Sequence, residues 1–104
     1  MAKMYNKLVR DRIPQIIRQT GKTCTTRRLD RDEYLQLLDR KMDEELAEFR
    51  QSGEAEELAD LMEVIAALGA ARGYSWEQLL QLRLDKREQR GGFEEGVLLL
   101  EVSD

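Results

Sequence analysis

The chain has 104 residues, 37% of them charged and 41% hydrophobic, with a formal net charge of −4, one cysteine and no histidine. Imidazole catalysis and His-ligated zinc are thereby excluded, and the lone Cys24 cannot form an internal disulfide. No apolar run approaches the ~18 residues of a membrane span, and the opening MAKMYNKLVR lacks the apolar stretch of a signal peptide, so the expectation is a single cytoplasmic domain over residues 1–104.

Pro14 suits the first turn of a short helix that Gly21 would close. Residues 22–29, rich in Thr and basic side chains, read as a loop or a short strand. Asp30 with Glu33 three residues later resembles a capping box and opens a helix to about Gln51, with Leu35, Leu38, Met42, Leu46 and Phe49 as its apolar stripe. At ~100° per residue Glu45 borders that stripe, whereas Glu44 points outward and reads as solvated. Ser52-Gly53 ends the helix. The next runs from about Glu54 to Arg72 with Gly73 as its stop, and it is apolar on nearly all sides from Leu58 to Ala71 except at Asp60 and Glu63. Such a helix in so short a chain implies a partner subunit over it. Asp60 shares its face with Val64, Ala67 and Ala71, so an acid stands on an apolar wall and must be neutralised, paired or metal-bound. Ser75 and Gln78 form a capping box for a last helix, with Trp76 as a packing anchor and Lys86, Arg87 and Arg90 at its basic end before Gly91-Gly92. The apolar tail 97–102 is a candidate strand that could pair with residues 23–29 as a hairpin. The fold class is therefore all-α, a small helical bundle completed by oligomerisation.

Charge is unevenly spread. Residues 1–31 carry nine Lys/Arg and two acids, and residues 32–104 carry eight Lys/Arg and nineteen acids. A basic arm beside an acidic body can bind nucleic acid, can grip phosphates of a small ligand whose metal sits on the acids, or can pair internally. The overall acidity argues against nucleic acid. Glu45 and Glu48 on one helix and Glu57 and Asp60 on the next each have i,i+3 spacing, so each pair projects from one face. Four gathered carboxylates need a counter-ion, and all-oxygen ligation favours Mg²⁺ or Mn²⁺.

Glu44-Glu45-x-x-Glu48 followed by Glu57-x-x-Asp60 resembles the EExxE…ExxD signature of the all-α NTP pyrophosphatases, which include MazG-like proteins, dimeric dUTPases and phosphoribosyl-ATP pyrophosphohydrolases. Tyr5-Asn-Lys-Leu-Val-Arg-Asp-Arg-Ile-Pro14 and Lys86-x-x-x-Arg90-Gly-Gly-Phe93 are similar to a small single-domain, phosphoribosyl-ATP pyrophosphohydrolase-like branch. The gap from Glu48 to Glu57 is short for the superfamily and implies a tight turn between the helices. The resemblance implies a helical homo-oligomer, dimer or tetramer, with Mg²⁺ on Glu45, Glu48, Glu57 and Asp60. It implies hydrolysis of a nucleotide substrate between its α- and β-phosphates to a monophosphate and pyrophosphate. Glu44 or Glu45 would orient or deprotonate the attacking water, and Lys7, Arg10, Arg12, Lys86 and Arg90 would meet the phosphates. The alternative is a non-catalytic helical module that binds a nucleotide or a partner through the same faces.

Overall fold

Local chemistry sets the helix boundaries, and the computed structural model, which describes residues 2–103, is all-helical with no strand among those residues. The four helices are α1 (Ile13–Gln19), α2 (Arg31–Ser52), α3 (Ala55–Ala71) and α4 (Trp76–Arg90). Pro14 stands in the first turn of α1, where its missing N–H and fixed φ suit the helix start. At α2 the Asp30 side chain accepts from the Glu33 backbone N–H at 2.9 Å. The capping box is only half made, because the Glu33 carboxylate turns instead to the Arg27 guanidinium, at 2.8 and 3.1 Å. A bidentate charged pair outcompetes one bond to a backbone N–H. The Ser75–Gln78 box of α4 is complete, at 2.7 and 3.1 Å.

α2 and α3 form the structural centre. Gly53 adopts φ 67°, ψ 13° and its N–H bonds to the Phe49 carbonyl at 2.8 Å, so the chain leaves α2 through a left-handed residue that glycine takes without strain. Only Gly53 and Glu54 separate the packed helices, which therefore run antiparallel. At the other end the Arg31 guanidinium donates to the Ala71 carbonyl at 2.7 Å, tying the start of α2 to the end of α3. Leu38 from α2 and Val64 from α3 are the buried hydrophobic residues of this seam, and Leu35, Met42, Leu46 and Phe49 line it half-buried.

α4 packs on α3 alone, and α1 makes no close approach to the other three helices. At the α3–α4 contact Gly69 is buried, and a Cβ there would stand 2.6 Å from Leu79 Cδ1, so that side chain would have to shift. The chain is elongated, 64 × 32 × 23 Å. No described helix is long and apolar enough to cross a membrane.

Two expectations change here. Residues 23–29 and 97–102 do not pair as a hairpin; both stretches lack strand structure, and the tail is exposed. An isolated two-stranded ribbon is marginal in water, and no third strand or helix face lies beneath this one to support it. Helix α3 is not buried on nearly all sides within one chain: Leu58, Met62 and Ile65 are exposed along one stripe.

Candidate metal-binding acidic site

The tight turn fixes which acids can meet. Glu48 and Glu57 stand about equally far from Gly53 along their helices, and so do Glu45 and Asp60, so the antiparallel pairing sets each acid of α2 at the level of one on α3. One carboxylate oxygen each from Glu44, Glu45 and Glu48 lie within 4.8 Å of one another. Glu57 and Asp60 stand outside that cluster on α3.

Glu45 is the centre. It is 5% exposed, and its Oε2 is buried without a hydrogen-bond partner. Burial pushes its pKa up, the charge of Glu48 and then that of Asp60 push the same way, and Lys41 opposes them. Lys41 Nζ is 3.4 Å from an oxygen of Glu45 and from one of Glu44, a long approach for an ion pair. Glu57 Oε2, on the facing helix, is likewise buried and unpartnered. Buried polar atoms are normally satisfied, and a carboxylate more so than most. These two orphaned oxygens lack a positive partner, and an oxygen-ligated divalent cation has the chemistry to supply one. Glu44, Glu45 and Glu48, whose carboxylate oxygens converge, fit such an ion, and Glu57 and Asp60 face them from α3.

The basic residues divide. Lys7 Nζ lies 3.4 Å from Glu44 Oε1 and 5.9 Å from the Tyr5 ring centre, so the N-terminal arm reaches the acids. Arg10 donates to Asp60 Oδ1 at 2.5 Å. The arm thus carries two of its cations onto the rim of the site. Arg12 is exposed at the N-cap of α1 and lines a shallow groove with Gln15, Ile16 and Gln19. Lys86 and Arg90 are exposed on the last turns of α4, and no contact joins that helix to α2. Glu44 is not the solvated side chain expected: held between Lys7 and Lys41, it is half-buried, because the arm folds over the face that periodicity alone leaves open. Lys41 was not among the expected site residues. Its signal was its i,i+3 and i,i+4 spacing to Glu44 and Glu45.

The raised pKa of Glu45 gives a signed pH dependence. In the unfolded chain this carboxyl titrates near ~4.3, and in the folded chain it holds its proton to higher pH. The folded state binds more protons between the two values, so metal-free stability is full below the unfolded pKa and declines as pH rises through the folded one. Urea midpoints measured in chelator should show this decline in the native sequence and lose it in Glu45→Gln. Glu33 works in the opposite sense. The Arg27 hydrogen bond lowers its pKa to about 2, so its contribution is present above the unfolded pKa and lost as pH falls toward that value.

No family model matches the chain, and no solved structure matches it. It is similar to an uncharacterized protein of Mycolicibacterium smegmatis, 57% identical over 44 residues. That stretch is 42% of this chain and 45% of the relative, so the match spans less than half the relative's length.

Proposed function

We propose that this protein is a cytoplasmic, Mg²⁺-dependent pyrophosphohydrolase that cleaves a nucleoside triphosphate, or a similarly phosphorylated molecule, between the α- and β-phosphates. The observation that carries the reading is the Glu45 carboxylate, buried and half unpartnered among further acids. Glu45, Glu48, Glu57 and Asp60 would hold the metal, and Mn²⁺ would serve in its place. The bound ion would neutralise phosphate charge and lower the pKa of a water. The chain's own part is positional. Glu44, half-buried beside Glu45, would orient the attacking water or take its proton, with Glu45 as the other candidate base. Arg10 and Lys7 now rest on Asp60 and Glu44; once Asp60 turns to the metal and Glu44 to the water, both cations are free to meet phosphate oxygens. Arg12, Lys86 and Arg90 are the remaining phosphate-binding candidates.

Pyrophosphate release from a panel of nucleoside triphosphates and phosphoribosyl-ATP, with Mg²⁺ or Mn²⁺ and with chelator, tests this. Metal-dependent release that Asp60→Ala abolishes is the expected result. A folded Asp60→Ala that turns over at the native rate would overturn the site assignment.

One observation favours the non-catalytic alternative. Arg10 with Asp60, and Lys7 and Lys41 with Glu44, already compensate part of the acidic charge. Nucleotide binding in calorimetry without turnover of any panel compound would support that module instead.

A further inference from the structure

The chain does not complete its own core. A folded monomer of 12.1 kDa exposes about 6,000 Å² and has a radius of gyration of about 13 Å. This chain exposes 9732 Å² and has a radius of gyration of 18.4 Å. The excess, about 3,700 Å², is several times the ~800 Å² that a standard-size contact takes from each partner and lies in the range of obligate assemblies. Two apolar surfaces account for the most conspicuous part of it. The first is the α3 stripe Leu58, Met62 and Ile65, at i, i+4 and i+7 spacing, beside a shallow groove lined by Ala59, Met62, Glu63, Ala66 and Trp76. The second is the tail, whose Val97, Leu98, Leu99, Leu100 and Val102 are each 75–85% exposed.

We infer that a second copy of this chain covers the α3 stripe, and that the two copies exchange their tails, each laying residues 97–102 along the other's Ala59–Trp76 groove. The sequence of the tail fits that seat. In an extended segment side chains alternate, so Leu98, Leu100 and Val102 share an entirely apolar face while Glu101 lies on the opposite one. The only charged residue of the groove is Glu63, and the apolar face meets it without bringing Glu101 against it. The groove sits by Trp76 at the start of α4, and the tail departs beyond the far end of that 15-residue helix, about 22 Å away. In its own chain the tail stands off the helices, exposed. Exchange between two copies gives each exposed surface the complement the other carries, and the arrangement closes on itself, since each copy donates and accepts the same segment. The inference is independent of the pyrophosphohydrolase reading.

The test is light-scattering mass over a wide range of chain concentration, for the native chain, Met62→Glu, and the double variant Leu98→Asp with Leu100→Asp. The native chain should run at twice 12.1 kDa or a higher multiple of it. Both variants should fall to the single-chain mass with helical circular dichroism retained. The tail variant lies outside every helix, so it decides the matter even where Met62→Glu unfolds. A native chain that is monomeric throughout, or a tail variant that keeps the native mass, overturns the exchange. A second measurement separates exchange from folding back. In a Cys24→Ser background, chains carrying Ala59→Cys are mixed with chains carrying Ser103→Cys and treated with a flexible bis-maleimide. Cross-linked peptides joining the two kinds of chain are expected. No link between the two kinds of chain, where a chain carrying both cysteines does form the link within itself, would overturn the proposal.

Discussion

Glu45→Ala is expected to reduce metal-dependent pyrophosphate release by about 100-fold or more, since even outer-shell residues of metal centres typically account for 10–100-fold. The argument starts from position. Glu45 borders the apolar stripe of α2, so folding carries it against α3 whether or not a cation is present, and it ends 5% exposed with one oxygen unpartnered. Such a group destabilises the metal-free protein and would bind a cation strongly for the same reason: its charge is dehydrated and flanked by Glu48 and Asp60. Two readouts should therefore move together. In the native chain Mg²⁺ should raise the melting temperature, because an ion that binds the folded state alone stabilises it by mass action. In Glu45→Ala that rise should disappear along with turnover, while the melting temperature in chelator should hold or increase. Glu88→Ala, an exposed acid on α4, should leave both unchanged. Loss of turnover with a full Mg²⁺-dependent rise in melting temperature would place the ion elsewhere.

The inward position of Glu45 was legible because helical period and an apolar stripe depend only on neighbours in sequence. The turn at Gly53, the Ser75–Gln78 box and the boundaries of α2, α3 and α4 were legible for the same reason. What escaped was choice between competing partners. Nine basic residues precede Asp32, and no local spacing tells that Arg10, fifty positions away, is the one that reaches Asp60. Asp30 and Glu33 have the spacing of a capping box, but Arg27 offers the Glu33 carboxylate a stronger bond, and the box is left half made. Glu44 read as solvated because the helix wheel does not include the N-terminal arm that covers it. The tail read as a strand on composition alone, yet a strand is defined by the neighbour it pairs with, and this chain supplies none to residues 97–102.

Leu38→Ala should be among the most destabilising single substitutions outside the acidic site, costing about 3 kcal/mol within the ~2–5 kcal/mol usual for buried leucine. Leu38 is 3% exposed and Val64 7%, and these two are the buried hydrophobic residues of the described chain. A core this thin has little else to redistribute the loss. Against a total stability of about 5–15 kcal/mol, such a change is a large fraction. Removing the side chain also leaves a gap in the α2–α3 seam two turns before Glu45 on the same helix face, so the helices would close over it and alter the spacing of the acids they carry. The affinity for Mg²⁺ should fall with stability, although Leu38 contributes no ligand atom. Urea unfolding at fixed chain concentration, with and without Mg²⁺, measures both effects. Leu82→Ala, on a side chain of α4 that is 53% exposed, is the comparison and should stay within about 0.5 kcal/mol. A Leu38→Ala cost no larger than that of Leu82→Ala would mean that the α2–α3 seam is not what holds the acids in place.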